Sequence, residues 1–147
     1  MSFFDSINIA ASGLTAERVR MDVTAENLAN AQTTNGPGGQ PYRRQEVVLA
    51  QVGGTSFGST LAGVMGSSAP TPGGVEVGGI VNDPTPDQLV YDPGHPGANA
   101  QGYVRMPNVN PVTEMTDLID ESNSYQADVT AMNTAKTMYT KTLDLLK

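Results

Sequence analysis

The chain has 147 residues, enough for one domain of ordinary size, yet Val, Leu, Ile and Phe supply only about a fifth of them, so a thin core is expected. Eight basic residues face fifteen acidic ones, the net charge is −7 and Arg43–Arg44 is the only adjacent basic pair, which argues against a nucleic-acid footprint. The absence of cysteine excludes disulfides, thiolate catalysis and zinc–sulfur sites, and no apolar run is long enough for a transmembrane segment.

The N-terminal stretch begins with Ser2 followed three residues later by Asp5, a capping-box variant. Apolar residues then recur every seven positions at Ile7, Leu14, Met21 and Leu28, with Phe4, Ala11 and Ala25 in a companion column and Arg18 as its charged member. This is a heptad seam on a helix of about thirty residues, which Asn35-Gly36-Pro37-Gly38-Gly39 terminates. The same N-terminus lacks the basic and continuously apolar regions of a cleavable secretory signal. A cytoplasmic protein, or one exported by a route that uses no such signal, is expected.

Fifteen of the sixteen glycines and eight of the ten prolines lie within residues 36–102, which excludes regular helix there. Short strands are expected at residues 44–52, 75–81 and 88–91, whereas residues 53–74, rich in Gly, Ser, Thr and Pro, read as a loop. A second long helix follows over residues 110–147. Asn110 is suited to N-cap it and Pro111 to open it, while Glu114 near its start and Lys141 near its end complement the macrodipole. Its seam runs through Met115, Ser122, Val129, Lys136 and Leu143 in one column and Leu118, Tyr125, Met132, Tyr139 and Leu146 in the other.

The expected fold is therefore mainly α with a small β insert. The helices of residues 1–35 and 110–147 pair as an antiparallel coiled coil in one helical domain, and residues 36–109 form a Gly/Pro-rich, β-containing insert. Both seams are interrupted by polar residues, and the second helix carries seven β-branched threonines, so each helix is weak alone and needs partners along its length. Two helices bury too little to be stable alone, so a subunit of a larger assembly is expected.

Three motifs then converge. Ala11-Ser12-Gly13-Leu14-Thr15-Ala16, with Ala25-Glu26-Asn27-Leu28-Ala29-Asn30-Ala31-Gln32-Thr33-Thr34, resembles the N-terminal signature of the bacterial flagellar rod and hook axial proteins. Tyr91-Asp92-Pro93-Gly94-His95-Pro96 running into Gly102-Tyr103-Val104, and Asn108-Val109-Asn110-Pro111-Val112-Thr113-Glu114-Met115 continuing to Lys147, resemble the proximal-rod members of that family more narrowly. The resemblance implies a structural subunit of the flagellar basal body, without catalysis or cofactor. It implies export by the flagellar type III apparatus and helical stacking into the periplasm-spanning, torque-transmitting rod. The implied partners are copies of itself, other rod proteins, the export apparatus and basal-body ring neighbours. A soluble coiled-coil adaptor or secretion substrate that binds one partner without polymerising is the alternative.

The residues expected to pack subunits are Phe4, Ile7, Leu14, Met21 and Leu28 from the first helix, with Met115, Leu118, Tyr125, Val129, Met132, Tyr139 and Leu143 from the second. Asn27 and Asn30 read either as hydrogen-bonding contacts to a neighbour or as ordinary helix-end residues, and the resemblance favours contacts. The lone His95, within Asp92-Pro93-Gly94-His95-Pro96, reads as a turn residue, because one imidazole without a second nitrogen ligand makes a poor metal site. Asp83, Asp87 and Asp92 lack the spacing of a calcium loop and read as turn aspartates. Neither a nucleophile elbow nor a phosphate-cradling loop is present in the sequence.

Overall fold

A computed structural model describes residues 3–36, 38–52 and 73–144, with side chains from Asp5 onward. The elements run α1 (Phe3–Ala29), β1 (Gln45–Gln51), β2 (Val75–Asn82), β3 (Gln88–Tyr91), β4 (Tyr103–Met106) and α2 (Pro111–Asp144). The protein is thus mainly helical with a small antiparallel β part, and three of the four strands fall where alternation and β-branched content place them. β4 is the strand that sequence reading lacks. Its four residues are too few for periodicity to register, and only pairing with β3 reveals it. The side chain of Phe4 and residues 53–72 of the expected loop lie outside the described residues.

Local chemistry accounts for the helix ends. Asn110 caps α2: its Oδ1 accepts from Val112 N–H at 3.1 Å while its carbonyl accepts from Glu114 N–H at 3.0 Å, and Pro111 fills the first helical position. Asn110→Ala is expected to cost about 1 kcal/mol, read as a lower urea midpoint by circular dichroism. At the end of α1, Asn30 donates its side-chain amide to Glu26 O at 3.0 Å and accepts from Thr33 Oγ1 at 3.2 Å. Gly38 and Gly39 follow at φ +85° and +72°, so the chain turns where only glycine does so without strain.

β1 and β2 form one two-stranded sheet, with Val52 N–H donating to Gly74 O at one end and Asp83 N–H donating to Arg44 O at the other. β3 and β4 form a second, in the register Gln88↔Met106, Leu89↔Arg105, Val90↔Val104 and Tyr91↔Tyr103. Residues directly opposite share a face, so Val90 and Val104 point to one side and Leu89, Tyr91, Tyr103 and Arg105 to the other. Val104 is buried whereas Val90 opposite it is 44% exposed, so that side is covered over β4 and open over β3.

The chain divides into two compact units. One holds the described parts of Met1–Val19, Val48–Gly79 and Ser122–Lys147, and the other holds Arg20–Val47 and Ile80–Glu121. In the first, Ser12 Oγ donates to Ile9 O and accepts from Val75 N–H at 3.1 Å, and Asp128 lies over Gly13, where a Cβ would come within 2.7 Å of its Oδ2. Among the described residues the buried apolar side chains are Ala16, Val23, Val104, Pro107 and Val109. Beside them, four polar residues, Thr24, Asn27, Glu114 and Glu121, are equally buried. This inversion of the usual core directs attention to the second unit.

Candidate functional site

Within the second unit the most deeply buried large side chains are Glu114 and Asn27, each 1% exposed, and they are joined to one another. Asn27 Nδ2 donates to Glu114 Oε2 at 3.1 Å and to Gln45 O at 2.9 Å. Its Oδ1 accepts from Gln45 N–H and from the Tyr42 hydroxyl, both at 2.9 Å. An amide side chain has two donor hydrogens and two acceptor lone pairs, so Asn27 is fully engaged within its own chain.

The other oxygen of Glu114 is held by Arg44, whose Nε lies 2.5 Å from Oε1. Arg44 also pairs with Glu46 and approaches Asp117 at 3.6 Å and Asp83 at 3.8 Å, while its backbone N–H donates to Asn108 Oδ1. One guanidinium therefore serves four carboxylates. A planar fork with five N–H donors can do this and an ammonium cannot. Burial alone would lower the basicity of Arg44, but the hydrogen bond and charge of Glu114, followed by those of Glu46, raise its pKa above the usual arginine value. Asp83 is shifted the other way, chiefly because the hydroxyl and backbone N–H of Thr85 donate to its carboxylate.

One rung further along α2, Glu121 Oε1 accepts from Thr24 Oγ1 at 3.1 Å and lies 3.5 Å from Arg20 Nε. Arg20 meets Glu121 and Asn27 meets Glu114, a step of seven residues on each helix in opposite directions. These contacts make α1 and α2 antiparallel neighbours in this unit. Thr24, Asn27, Arg44, Asp117 and Glu121 line a cavity of about 230 Å³ beside the network.

Burial pushes the Tyr42 phenol up to about 12, with Glu26 and Glu114 adding to the shift. A group whose folded pKa lies above its unfolded one contributes stability that is fully present below the unfolded value and is lost as pH rises through the folded one. The contribution of Tyr42 is therefore expected to fall between about pH 10 and 12. Tyr42→Phe, which lacks the hydrogen bond to Asn27, is expected to be less stable at neutral pH. Urea midpoints of the two proteins should converge above pH 10.

The residues expected to pack subunits are distributed unevenly. Ile7, Leu14, Met21, Leu28, Leu118, Tyr125, Val129 and Met132 are half-buried, whereas Met115, Tyr139 and Leu143 are exposed. Asn30 is half-buried and bonded locally. His95 Nδ1 accepts from Gly97 N–H at 3.0 Å, and Asp92 Oδ1 accepts from Gly94 N–H at 3.1 Å, so both sit in turns. Sequence reasoning missed Arg44, Tyr42, Glu114 and Glu121. The reversed heptad match of Arg20 and Asn27 with Glu121 and Glu114 could have pointed to the two glutamates, but no sequence signal pairs Tyr42 or Arg44 with them. Asn27 and Arg44 tie Glu114 of α2 to Gln45 and Glu46 at the start of β1, which makes the cluster a lock between the two helices and that strand.

Two family models match the chain. "Flagella basal body rod protein" covers residues 7–37, and "Flagellar basal body rod FlgEFG protein C-terminal" covers residues 100–145. Asn27 lies in the first stretch and Glu114 in the second, while Tyr42 and Arg44 fall between them. Curated relatives match along the whole chain. Flagellar basal-body rod protein FlgC of Bacillus subtilis is 49% identical over 151 residues, covering 100% of both chains. The FlgC proteins of Yersinia enterocolitica and Salmonella typhimurium are 44% and 43% identical over 145 residues, covering 99% of this chain and 98% of each relative. The chain therefore belongs to the FlgC family of flagellar basal-body rod proteins.

Proposed function

We propose that this chain is a structural subunit of the proximal rod of the flagellar basal body, packing helically with copies of itself and with other rod proteins. It has no active site, and its work is to transmit torque through helix packing. Full-length similarity to rod proteins carries this reading. Residues 1–35 and 110–147 act as one helical domain paired as an antiparallel coiled coil, and residues 36–109 are its insert. The polar rungs between α1 and α2 support that pairing. The half-buried seam residues, Leu14 and Leu118 among them, complete their burial against neighbours.

Delivery through the flagellar type III apparatus to a periplasm-spanning rod, with contacts to ring neighbours, completes the reading. A chain threaded through a narrow channel must unfold readily, and a core with five buried apolar side chains among the described residues supports that property. The described part of α2 beyond Ser122 contains no fully buried residue, so it gains most from neighbours.

The test is deletion and complementation in the bacterium that encodes the chain, with isolation of basal bodies. Motility restored together with several copies of the chain per basal body is expected. A defined small complex with one partner, and none of the chain in basal bodies, would replace the rod by the adaptor reading. No helix among the described residues is long and apolar enough to cross a membrane, so attachment to the basal body is assigned to subunit contacts.

A further inference from the structure

The β3–β4 ribbon has two outer edges, and they are finished differently. One step beyond the Tyr91↔Tyr103 pair, Asp92 N–H donates to Gly102 O, so Asp92 with Gly102, Val90 with Val104 and Gln88 with Met106 are the hydrogen-bonded pairs. The residues between them, Leu89 and Tyr91 on β3 and Tyr103 and Arg105 on β4, therefore aim their backbone N–H and C=O groups away from the ribbon. On β4, Asn99 closes the edge at Tyr103: its Oδ1 accepts from Tyr103 N–H and its own N–H donates to Tyr103 O, both at 2.9 Å. On β3, no group among the described residues takes up the outward N–H or C=O of Leu89 or Tyr91, and the sheet ends there.

An edge strand in water is ordinarily guarded by lysine, proline, a charged side chain or a bulge. β3 reads Gln-Leu-Val-Tyr, with all four residues exposed, no charge, no proline and an unbroken register. A ribbon of two strands is also marginal by itself, and a third strand is what makes such a sheet stable.

What the edge presents decides what fits it. Two N–H and two C=O groups recur along about 7 Å of strand. An ion offers one sign of charge, and a helix spends its backbone groups internally, whereas an extended polypeptide answers all four groups in alternation. Leu89 and Tyr91 are each 65% exposed on one face and Val90 is 44% exposed on the other, so the side chains of an added strand meet apolar neighbours on both faces.

We infer that β3 is completed by strand addition: an extended segment of a neighbouring rod subunit pairs with Leu89 and Tyr91 and becomes the third strand of the ribbon. The inference rests on the rod reading and deepens it by assigning part of the subunit contact to the insert.

The outward direction of Leu89 N–H gives a selective test. Leu89→Pro removes that donor while Gln88 and Val90 keep the ladder to β4, and Gln88, already extended, suits the position before proline. Incorporation of Leu89→Pro into basal bodies is expected to fall at least about tenfold, whereas Leu89→Ala, which keeps the N–H, stays within about twofold of the unmodified chain. Hydrogen exchange on the unmodified chain supplies the second measurement. The Leu89 and Tyr91 amides are expected to exchange at least about tenfold more slowly in isolated basal bodies than in the dilute chain.

Equal losses from Leu89→Pro and Leu89→Ala would assign the contact to the side chain and overturn strand addition. Normal incorporation of Leu89→Pro, or equally fast exchange of the two amides in basal bodies and in the dilute chain, would overturn it as well and leave the rod reading in place. The exchange comparison decides the matter if Leu89→Pro fails to fold, because it uses the unmodified chain. Absence of the unmodified chain from basal bodies would instead overturn the rod reading.

Discussion

Arg44→Ala is expected to destabilise the second unit by about 3–5 kcal/mol, the cost of leaving a buried carboxylate without its cation. Glu114 is 1% exposed, and without the guanidinium its remaining donor is the Asn27 amide at 3.1 Å. Water entering from the cavity that Arg44 lines can offset part of this loss, which brings the lower end of the range within reach as readily as the upper. Native domains hold only about 5–15 kcal/mol in total, and this one has a thin apolar core. The loss should therefore appear as a steep fall in urea midpoint, and as fast amide exchange across residues 42–46. Arg44→Lys keeps the charge but loses the fork, so about half of the loss is expected to remain. Glu114→Gln should be milder than Arg44→Ala, because Arg44 retains Glu46, Asp83 and Asp117 nearby. Equal effects from the three substitutions would show that bulk rather than charge geometry governs the site.

Such a network is weak evidence for net stability, since desolvation offsets much of what ion pairing gives. Its value lies in alignment. The Asn27–Glu114 and Arg20–Glu121 contacts both require the same offset between the helices, and a slide of one turn would bury carboxylates opposite apolar residues. An apolar seam of similar side chains tolerates sliding far better. For a subunit that transmits torque, fixed register is a mechanical requirement.

What the sequence makes legible follows interaction range. The cap at Asn110–Pro111, the end of α1 before the glycine cluster and strands β1 to β3 depend on neighbours a few residues away, and the structure has them in place. Of the expected column, Leu118, Tyr125 and Met132 are half-buried while Tyr139 is exposed, so heptad spacing alone does not tell which of its residues are covered. The buried lock was not legible. Glu114 in a first helical turn reads as a macrodipole complement, and Arg44 registers only as half of the one adjacent basic pair. Their contact spans 70 residues of sequence. A charged residue is assigned to the surface unless its partner is known, and no local pattern names the partner.

The same logic makes Asn27 the most exacting position in the chain. Asn27→Ala would orphan the N–H and C=O of Gln45 and the Tyr42 hydroxyl together. At about 1–3 kcal/mol for each unsatisfied buried group, the expected loss is at least about 3 kcal/mol. Asn27→Asp is nearly isosteric and keeps the acceptor that Gln45 N–H and Tyr42 use. It places an oxygen, however, where the amide donates to Glu114 Oε2 and Gln45 O. Two acceptors would then face a third, so this conservative-looking change is expected to cost as much as alanine at neutral pH. The two variants separate in acid. The introduced carboxylate can regain a donor only by taking up a proton, which holds its folded pKa above the unfolded value, so its stability is restored as pH falls. Urea midpoints measured from pH 7 down to pH 5 should show Asn27→Asp approaching the unmodified protein while Asn27→Ala remains a constant distance below it. Parallel curves for the two variants would mean that the Asn27 side chain fills space and does not direct hydrogen bonds.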